Sequence, residues 1–472
     1  MVRVVLVFRG GQLFFEDERL YSNAMESVIL FVQGNPGGVL DLILRYPQHV
    51  GFTLLGIVPA AIQYCLDSAL GLSQDSTLWI PALILSLMSV ASIGLIYAIA
   101  RQAGAGKTEG FIAAVLMASA TSMLYFSRHL LPYDLSLALA LFALWIGLDV
   151  CSGFTRSLLC GFLAGLAFFT YYGYWSLPVI VGAIHTFWRK PEAADLFKCA
   201  FAFGCGFILL PTLLTLASVS RGIVPFVLAM TQFAGTITSG DPAEGWWFPW
   251  EYLWDTEHGL LLVWGIGALA IIWLAIGRRG VAPTRGALWL GVAISIYLAL
   301  AIPSTGLGKF VVYGRLVRQL VPYLCLATAF SLNFFAEHWE PKRHWVSLAV
   351  ILLVAQVAFN FRQPLLQQFP LDVERMVIET FGRVGRAITI EGPGLVGYEC
   401  CFTPRYFLIN AQNLYPVRDH NKKKLPAGKT VFQVEHPLQF IPYQYEGADA
   451  YGRALFQSAD LRIRLVDTQS PE

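Results

Sequence analysis

Three groups of charged side chains interrupt an otherwise apolar chain. Glu16, Asp17 and Glu18 follow one another in LFFEDERLYSNA, residues 13–24. Arg128, His129 and Asp134 stand in SRHLLPYDLSLALALFALW, residues 127–145, and Lys309, Arg315 and Arg318 in KFVVYGRLVRQLVPYL, residues 309–324. A carboxylate can deprotonate a hydroxyl, and guanidinium groups can meet an oxyanion as it forms. A sugar leaving a lipid phosphate needs little more than this, because a phosphate whose second pKa is about 6 departs without a general acid. A glycoside hydrolase instead needs two carboxyls roughly 5–9.5 Å apart, flanking the bond, and the neighbours Asp17 and Glu18 cannot straddle a sugar. Each group also has a plainer reading. The acidic run would suit the start of a helix near Arg19, Asp134 could pair within its own segment with Arg128, and the later cations could snorkel to lipid headgroups.

What must position these groups is a membrane bundle. Of 472 residues, 56% are hydrophobic and 14% charged, against roughly 45–50% and about 25% in soluble domains. A net charge of +2 gives no reason to expect nucleic acid. Ten apolar runs approach the roughly 20 residues needed to cross a bilayer: 79–100, 110–127, 131–149, 157–173, 174–189, 196–218, 259–277, 286–303, 313–335 and 344–360. Every second loop is basic (Arg101 and Lys107, Arg156, Arg189 and Lys190, Arg278 and Arg279, Lys342 and Arg343), which assigns those loops to the cytoplasm. The acidic run, Arg128, Arg315 and Arg318 then share the outer face, provided that residues 49–72 lie along the interface rather than span. Residues 1–9 read as the outer end of a first span that is otherwise cut short.

Beyond residue 360 the composition becomes ordinary. An amphipathic stretch at 371–386 and the alternating runs RAITIEG, TVFQVEH and LRIRLVD predict a small soluble α/β domain over 361–472, outside the cytoplasm. Two other stretches carry less. RQAGAGKTEG, 101–110, lacks the first glycine of a phosphate loop, since Arg101 stands there. The aromatic stretch GDPAEGWWFPWEYLWDTEHG, 240–259, suits an interfacial belt or a sugar-stacking platform, with Asp241, Glu244, Glu251 and Asp255 as solvated charges. The eight cysteines show no metal spacing.

With these residues in order along the chain, the sequence resembles the GT-C superfamily of membrane glycosyltransferases that use polyprenyl-phosphate sugars, in its protein O-mannosyltransferase and aminoarabinose lipid A transferase branch. FFEDERLYSNA is similar to the family's F-x-D-E-x-x-Y-x-x-A motif, which implies Asp17 as catalytic base with Glu18 beside it. SRHLLPYD resembles its R-x-x-x-x-x-D segment, which brings Arg128, His129 and Asp134 to the site. GFLAGLAFFTYYGYWSLP, 161–178, is similar to its G-x-x-x-G-L-A-x-x-T-K-Y-x-G helix, and YGRLVRQLVPYL to its R-x-x-x-P segment, implying Arg315 or Arg318, with Lys309, at the donor phosphate. Two departures stand out. Tyr171 replaces the usual Lys, and RYPQHVGF, 45–52, lacks the usual P-P-L, so Arg45 and His49 become candidates for the missing positive charge.

The resemblance implies an inverting, polytopic enzyme of the bacterial inner membrane. It would move a sugar from a polyprenyl-phosphate donor to a hydroxyl of a glycan, lipid or protein acceptor, with no metal or cofactor. The alternative is a lipid-linked sugar flippase, in which the same arginines hold phosphate and no bond breaks. Transporters of that kind usually carry inverted repeats and broken midplane helices, and neither is evident in the sequence.

Overall fold

The computed structural model describes residues 2–8, 20–70, 78–148, 153–188, 193–237, 246–257, 259–277, 281–308, 314–338 and 355, together with six strands between 394 and 466. The acidic run at 16–18, Lys309 and the stretches at 344–354, 356–360 and 371–386 lie outside these residues.

The chain is an α-helical, polytopic membrane protein. Its helices are α1 (Val2–Val7), α2 (Ser22–Val32), α3 (Pro36–Arg45), α4 (Val50–Leu70), α5 (Trp79–Gln102), α6 (Lys107–Ser119), α7 (Thr121–Tyr125), α8 (Tyr133–Gly147), α9 (Phe154–Thr170), α10 (Ser176–Phe187), α11 (Ala193–Ser220), α12 (Phe226–Ile237), α13 (Phe248–Glu257), α14 (Gly259–Gly277), α15 (Val281–Ala301), α16 (Gly314–Val317) and α17 (Val321–His338). Among the described residues α4, α5, α11 and the helix through Arg285–Gly306 are long and apolar enough to cross a membrane, and a fifth crossing counts if α6 and α7 form one bent span.

Local chemistry explains several boundaries. Asn35 caps α3 by accepting the Gly38 N–H at 2.8 Å, and Pro36 fills the first helical position, where its missing N–H costs nothing. The G-K-T sequence is a helix start. Gly106 is the N-cap of α6, its N–H taken by the Glu109 carboxylate, and Arg101 and Arg285 donate to the carbonyls of Ala105 and Gly104 at 2.7 and 2.6 Å.

Two apolar runs that read as single spans are broken. The run at 110–127 turns by 64° at Ala120, whose backbone is extended. The run at 313–335 passes from α16 through a 3-10 turn, Arg318–Leu320, into α17. The segment at 49–72, expected along the interface, forms the 21-residue α4 and meets the length and hydropathy needed to cross. It packs beside α2, α5 and α9, with the Tyr21 hydroxyl donating to the Gly56 carbonyl at 2.7 Å.

The main core joins α5, α6, α8, α9, α10, α14, α15 and α17. α9 and α11 approach closely: a Cβ added to Gly161 would stand 1.9 Å from the Phe203 carbonyl oxygen and one added to Gly206 would stand 2.0 Å from that of Leu158. Only hydrogen fits there, so the two backbones touch, as small-residue helix pairs do in membranes.

In the C-terminal part, β1 (Gly394–Cys400), β2 (Thr403–Asn410), β3 (Asn413–Pro416), β4 (Thr430–Glu435), β5 (Arg453–Ser458) and β6 (Leu461–Val466) form one sheet in the order β3-β2-β1-β4-β6-β5. Only β1 and β4 run parallel; the other neighbours are antiparallel. β4 and β6 coincide with two of the expected strands, TVFQVEH and LRIRLVD.

Candidate active site

Arg128 ends the 3-10 turn Phe126–Arg128 that continues α7, and Asp134 lies in the first turn of α8. Arg315 sits in α16 and Arg318 opens the turn leading to α17. All four are buried, Arg318 completely. The partner of Asp134 is distant in sequence: the Arg318 Nη2 donates to Asp134 Oδ1 at 2.5 Å, with neither side chain more than 5% exposed. Two buried charges cost heavily to desolvate and hold only when paired in good geometry. The negative end of the pair also sits at the start of α8, where the helix dipole favours a carboxylate.

Aromatic rings join the remaining groups. The Arg318 guanidinium lies 4.8 Å from the Phe126 ring centre and 5.8 Å from that of Tyr133. Arg315 lies 5.5 Å from the Tyr133 ring centre, and its Nη1 donates to the Tyr133 hydroxyl. Such ring faces attract cations most strongly away from water. Arg128 reaches the Tyr125 ring at 6.0 Å, and the His129 imidazole is 5.4 Å from the same ring. Phe126 and Tyr133 meet edge to face at 5.7 Å, which ties the Arg128 turn to the two later arginines. Nε and Nη1 of Arg318, two of its three guanidinium nitrogens, have no hydrogen-bond partner among the described residues.

A second layer holds the arm of Arg315 and Arg318 in place. The Tyr174 hydroxyl donates to the Arg315 carbonyl at 3.0 Å. Gln319 accepts from the Ser176 hydroxyl at 2.7 Å and donates to the Gly173 and Leu316 carbonyls. These contacts run from the turn Tyr172–Tyr174 and the start of α10, so the stretch 161–178 supports the site through its end as well as through its glycines.

Tyr171, which stands where the resemblance expects a Lys, packs edge to face on Tyr133 at 4.7 Å and stacks on His49 at 5.2 Å. His49 also stacks on Tyr172 at 5.5 Å and has a left-handed backbone, φ 53°, which few non-glycine residues adopt. It lies just ahead of α4. His49 therefore brings an imidazole ring against the Tyr171 and Tyr172 rings. Arg45 is exposed at the end of α3, and none of the described contacts brings it to the other groups. Asp17, Glu18 and Lys309 lie outside the described residues.

Three residues of the neighbourhood were not singled out by sequence. Tyr133 sits beside Asp134 but is one tyrosine among 19. Arg3 is buried in α1, donating to the Ser89 hydroxyl and to the Met117 carbonyl at 3.2 Å, within electrostatic reach of Asp134 and Arg318. Glu257 ends α13 and binds the start of α7. A lone cation in the apolar segment VRVVLV was the available signal for Arg3; Glu257 had none.

No protein-family model matches the chain, and neither does any curated protein. Among solved structures, the chain is similar to ArnT from Cupriavidus metallidurans in its apo crystal structure, at 11% identity and a TM-score of 0.44, over 95% of this chain and 94% of that one. At that score the likeness assigns no residue a role.

Proposed function

We propose that this chain is an inverting glycosyltransferase of the GT-C type, moving a sugar from a polyprenyl-phosphate donor to an acceptor hydroxyl at the extracytoplasmic face. With α4 lying along the interface rather than across the membrane, so that Asp17 shares the face of Arg128, the Asp17 carboxylate takes the acceptor proton as the new bond forms between the acceptor oxygen and the anomeric carbon. The bond from that carbon to the phosphate oxygen breaks, and the polyprenyl phosphate leaves as the anion. Arg128, Arg315, Arg318 and Lys309 meet that anion, with Glu18 beside Asp17, His129 supporting the site and Asp134 holding Arg318 in orientation. Charge develops on the phosphate as the bond breaks, so fixed guanidinium groups in a dry site lower the barrier.

The observation that carries this reading is the meeting of Arg318 with Asp134 and Phe126. Residues far apart in the chain bring cations into one buried place, in a protein whose bulk is apolar. Functional ionisable groups in membrane proteins gather in this way.

The test uses the purified full chain with a polyprenyl-phosphate sugar. Asp17→Asn is expected to lose transfer by about 10²-fold or more, the usual scale for removing a general base, while still binding the donor. Arg318→Ala is expected to weaken the donor. Full transfer by Asp17→Asn would overturn the assignment. Mass analysis of envelope glycans from cells with and without the gene would identify the sugar and the acceptor.

A further inference from the structure

The break between α6 and α7 has no local cause. Sharp bends usually fall at proline or glycine, but the sequence here is Ser119, Ala120, Thr121, Ser122, and alanine is the strongest helix former. A break also leaves N–H groups at the start of the new helix with no helical partner.

One side chain from far along the chain supplies both the restraint and the partners. The Glu257 carboxylate, 3% exposed, accepts the Thr121 N–H at 2.6 Å through one oxygen. Through the other it accepts the Ser122 N–H at 3.0 Å and the Ser122 hydroxyl at 2.5 Å. The helix that Glu257 ends, α13, packs against α7 and also against α16. It thus touches both the arm that carries Arg128 and the arm that carries Arg315.

We propose that Glu257 is a positioning residue: its carboxylate clamps the start of α7 and so sets where Arg128, at the far end of the same short arm, stands against the donor phosphate. The proposal rests on the reading above that Arg128 faces that phosphate. It gives the stretch 240–259 a mechanical part in the site through one acid, in addition to its aromatic residues.

Two measurements on the full-length protein in detergent test it. Hydrogen exchange in Glu257→Ala is expected to speed up at residues 121–129, by about tenfold or more given the loss of three buried hydrogen bonds, with the rest of the bundle unchanged. Binding of decaprenyl monophosphate is expected to weaken about tenfold in Glu257→Ala, the scale of one strong buried hydrogen bond, and less in Glu257→Gln, which keeps one acceptor oxygen. Glu257→Ala combined with Arg128→Ala should bind no more weakly than Arg128→Ala alone, because the clamp acts through Arg128. If Glu257→Ala does not fold, Ser122→Ala removes one of the three donors and gives the same signs in smaller size. Unchanged exchange at 121–129 overturns the clamp whatever the fate of the phosphate reading. Additive losses in the double variant overturn action through Arg128. Equal binding of the lipid phosphate by the unaltered protein and Arg128→Ala overturns the phosphate reading and the positioning role with it, while the exchange data still judge the clamp.

Discussion

Two contacts in this bundle hold helices together by opposite means. Where α9 crosses α11, glycines let backbone meet backbone, and no polar side chain takes part at Gly161 or Gly206. Where α8 meets the arm of α16 and its following turn, Asp134 and Tyr133 hold Arg318 and Arg315 through charge, hydroxyl and ring face. The first contact is limited by shape, since lipid tails give helices no hydrophobic reason to associate and close packing must do so. The second is limited by electrostatics, since each unpaired charge there would be costly. A bundle held only by the first kind would need no buried arginines. Their presence beside α8 marks that end as the place where the fold carries the cost of buried charge.

The comparison breaks most visibly at the glycine crossing. Gly206→Val puts a side chain about where the Leu158 carbonyl oxygen and the Phe162 N–H now lie, with a Cβ only 2.0 Å from the former. Neither obstacle can rotate away, so the helices must separate. Loss of monodisperse protein on size-exclusion chromatography is the expected outcome, beyond the usual range of about 1–3 kcal/mol for overpacking. A normal yield and melting temperature would show that the crossing is looser than the backbone geometry indicates.

At the charged contact, the effect depends on whether one partner or both are removed. Asp134→Leu leaves Arg318 buried and unpaired, and about 3–5 kcal/mol of stability is expected to disappear. Arg318→Met added to Asp134→Leu should recover much of that loss, because the remaining groups are apolar, while donor binding stays impaired. Thermal melting and phosphate-lipid binding of the single and double variants separate the two outcomes. A double variant less stable than either single would show that the pair contributes more than mutual neutralisation.

Much of this contrast was legible in the sequence, though unevenly. Apolar runs located most helices, because burial in a bilayer demands near-continuous hydrophobic residues. Asp134 and Arg318 stood out for the same reason, as charges that such segments rarely carry. Their pairing could not be read, since the two are 184 positions apart and the local alternative, Arg128, was nearer in sequence. The bend at Ala120 was invisible too. Hydropathy does not distinguish a straight helix from a broken one, and the residue that accounts for the break, Glu257, belongs to another element and looks like the solvated acids around it. The Tyr171 position was identifiable as a departure from the family pattern, but its consequence, a ring wedged between Tyr133 and His49, is a matter of tertiary packing.

The smallest effect sharpens the same comparison within a single side chain. Tyr133 offers Arg315 a hydroxyl and offers both arginines a ring face. Tyr133→Phe removes only the hydroxyl and should weaken donor binding modestly, within the roughly 1.5–3 kcal/mol associated with a hydrogen bond to a charged group. Tyr133→Leu removes the ring as well, and the further loss measures cation–ring attraction, about 0.5–2 kcal/mol at a desolvated site. If Phe and Leu bind the phosphate lipid equally, the rings around Arg315 and Arg318 serve as spacers and the hydroxyl alone orients the guanidinium. If Phe matches the unaltered protein and Leu does not, the ring faces position the cations, and the charged contact depends on shape more than its composition suggests.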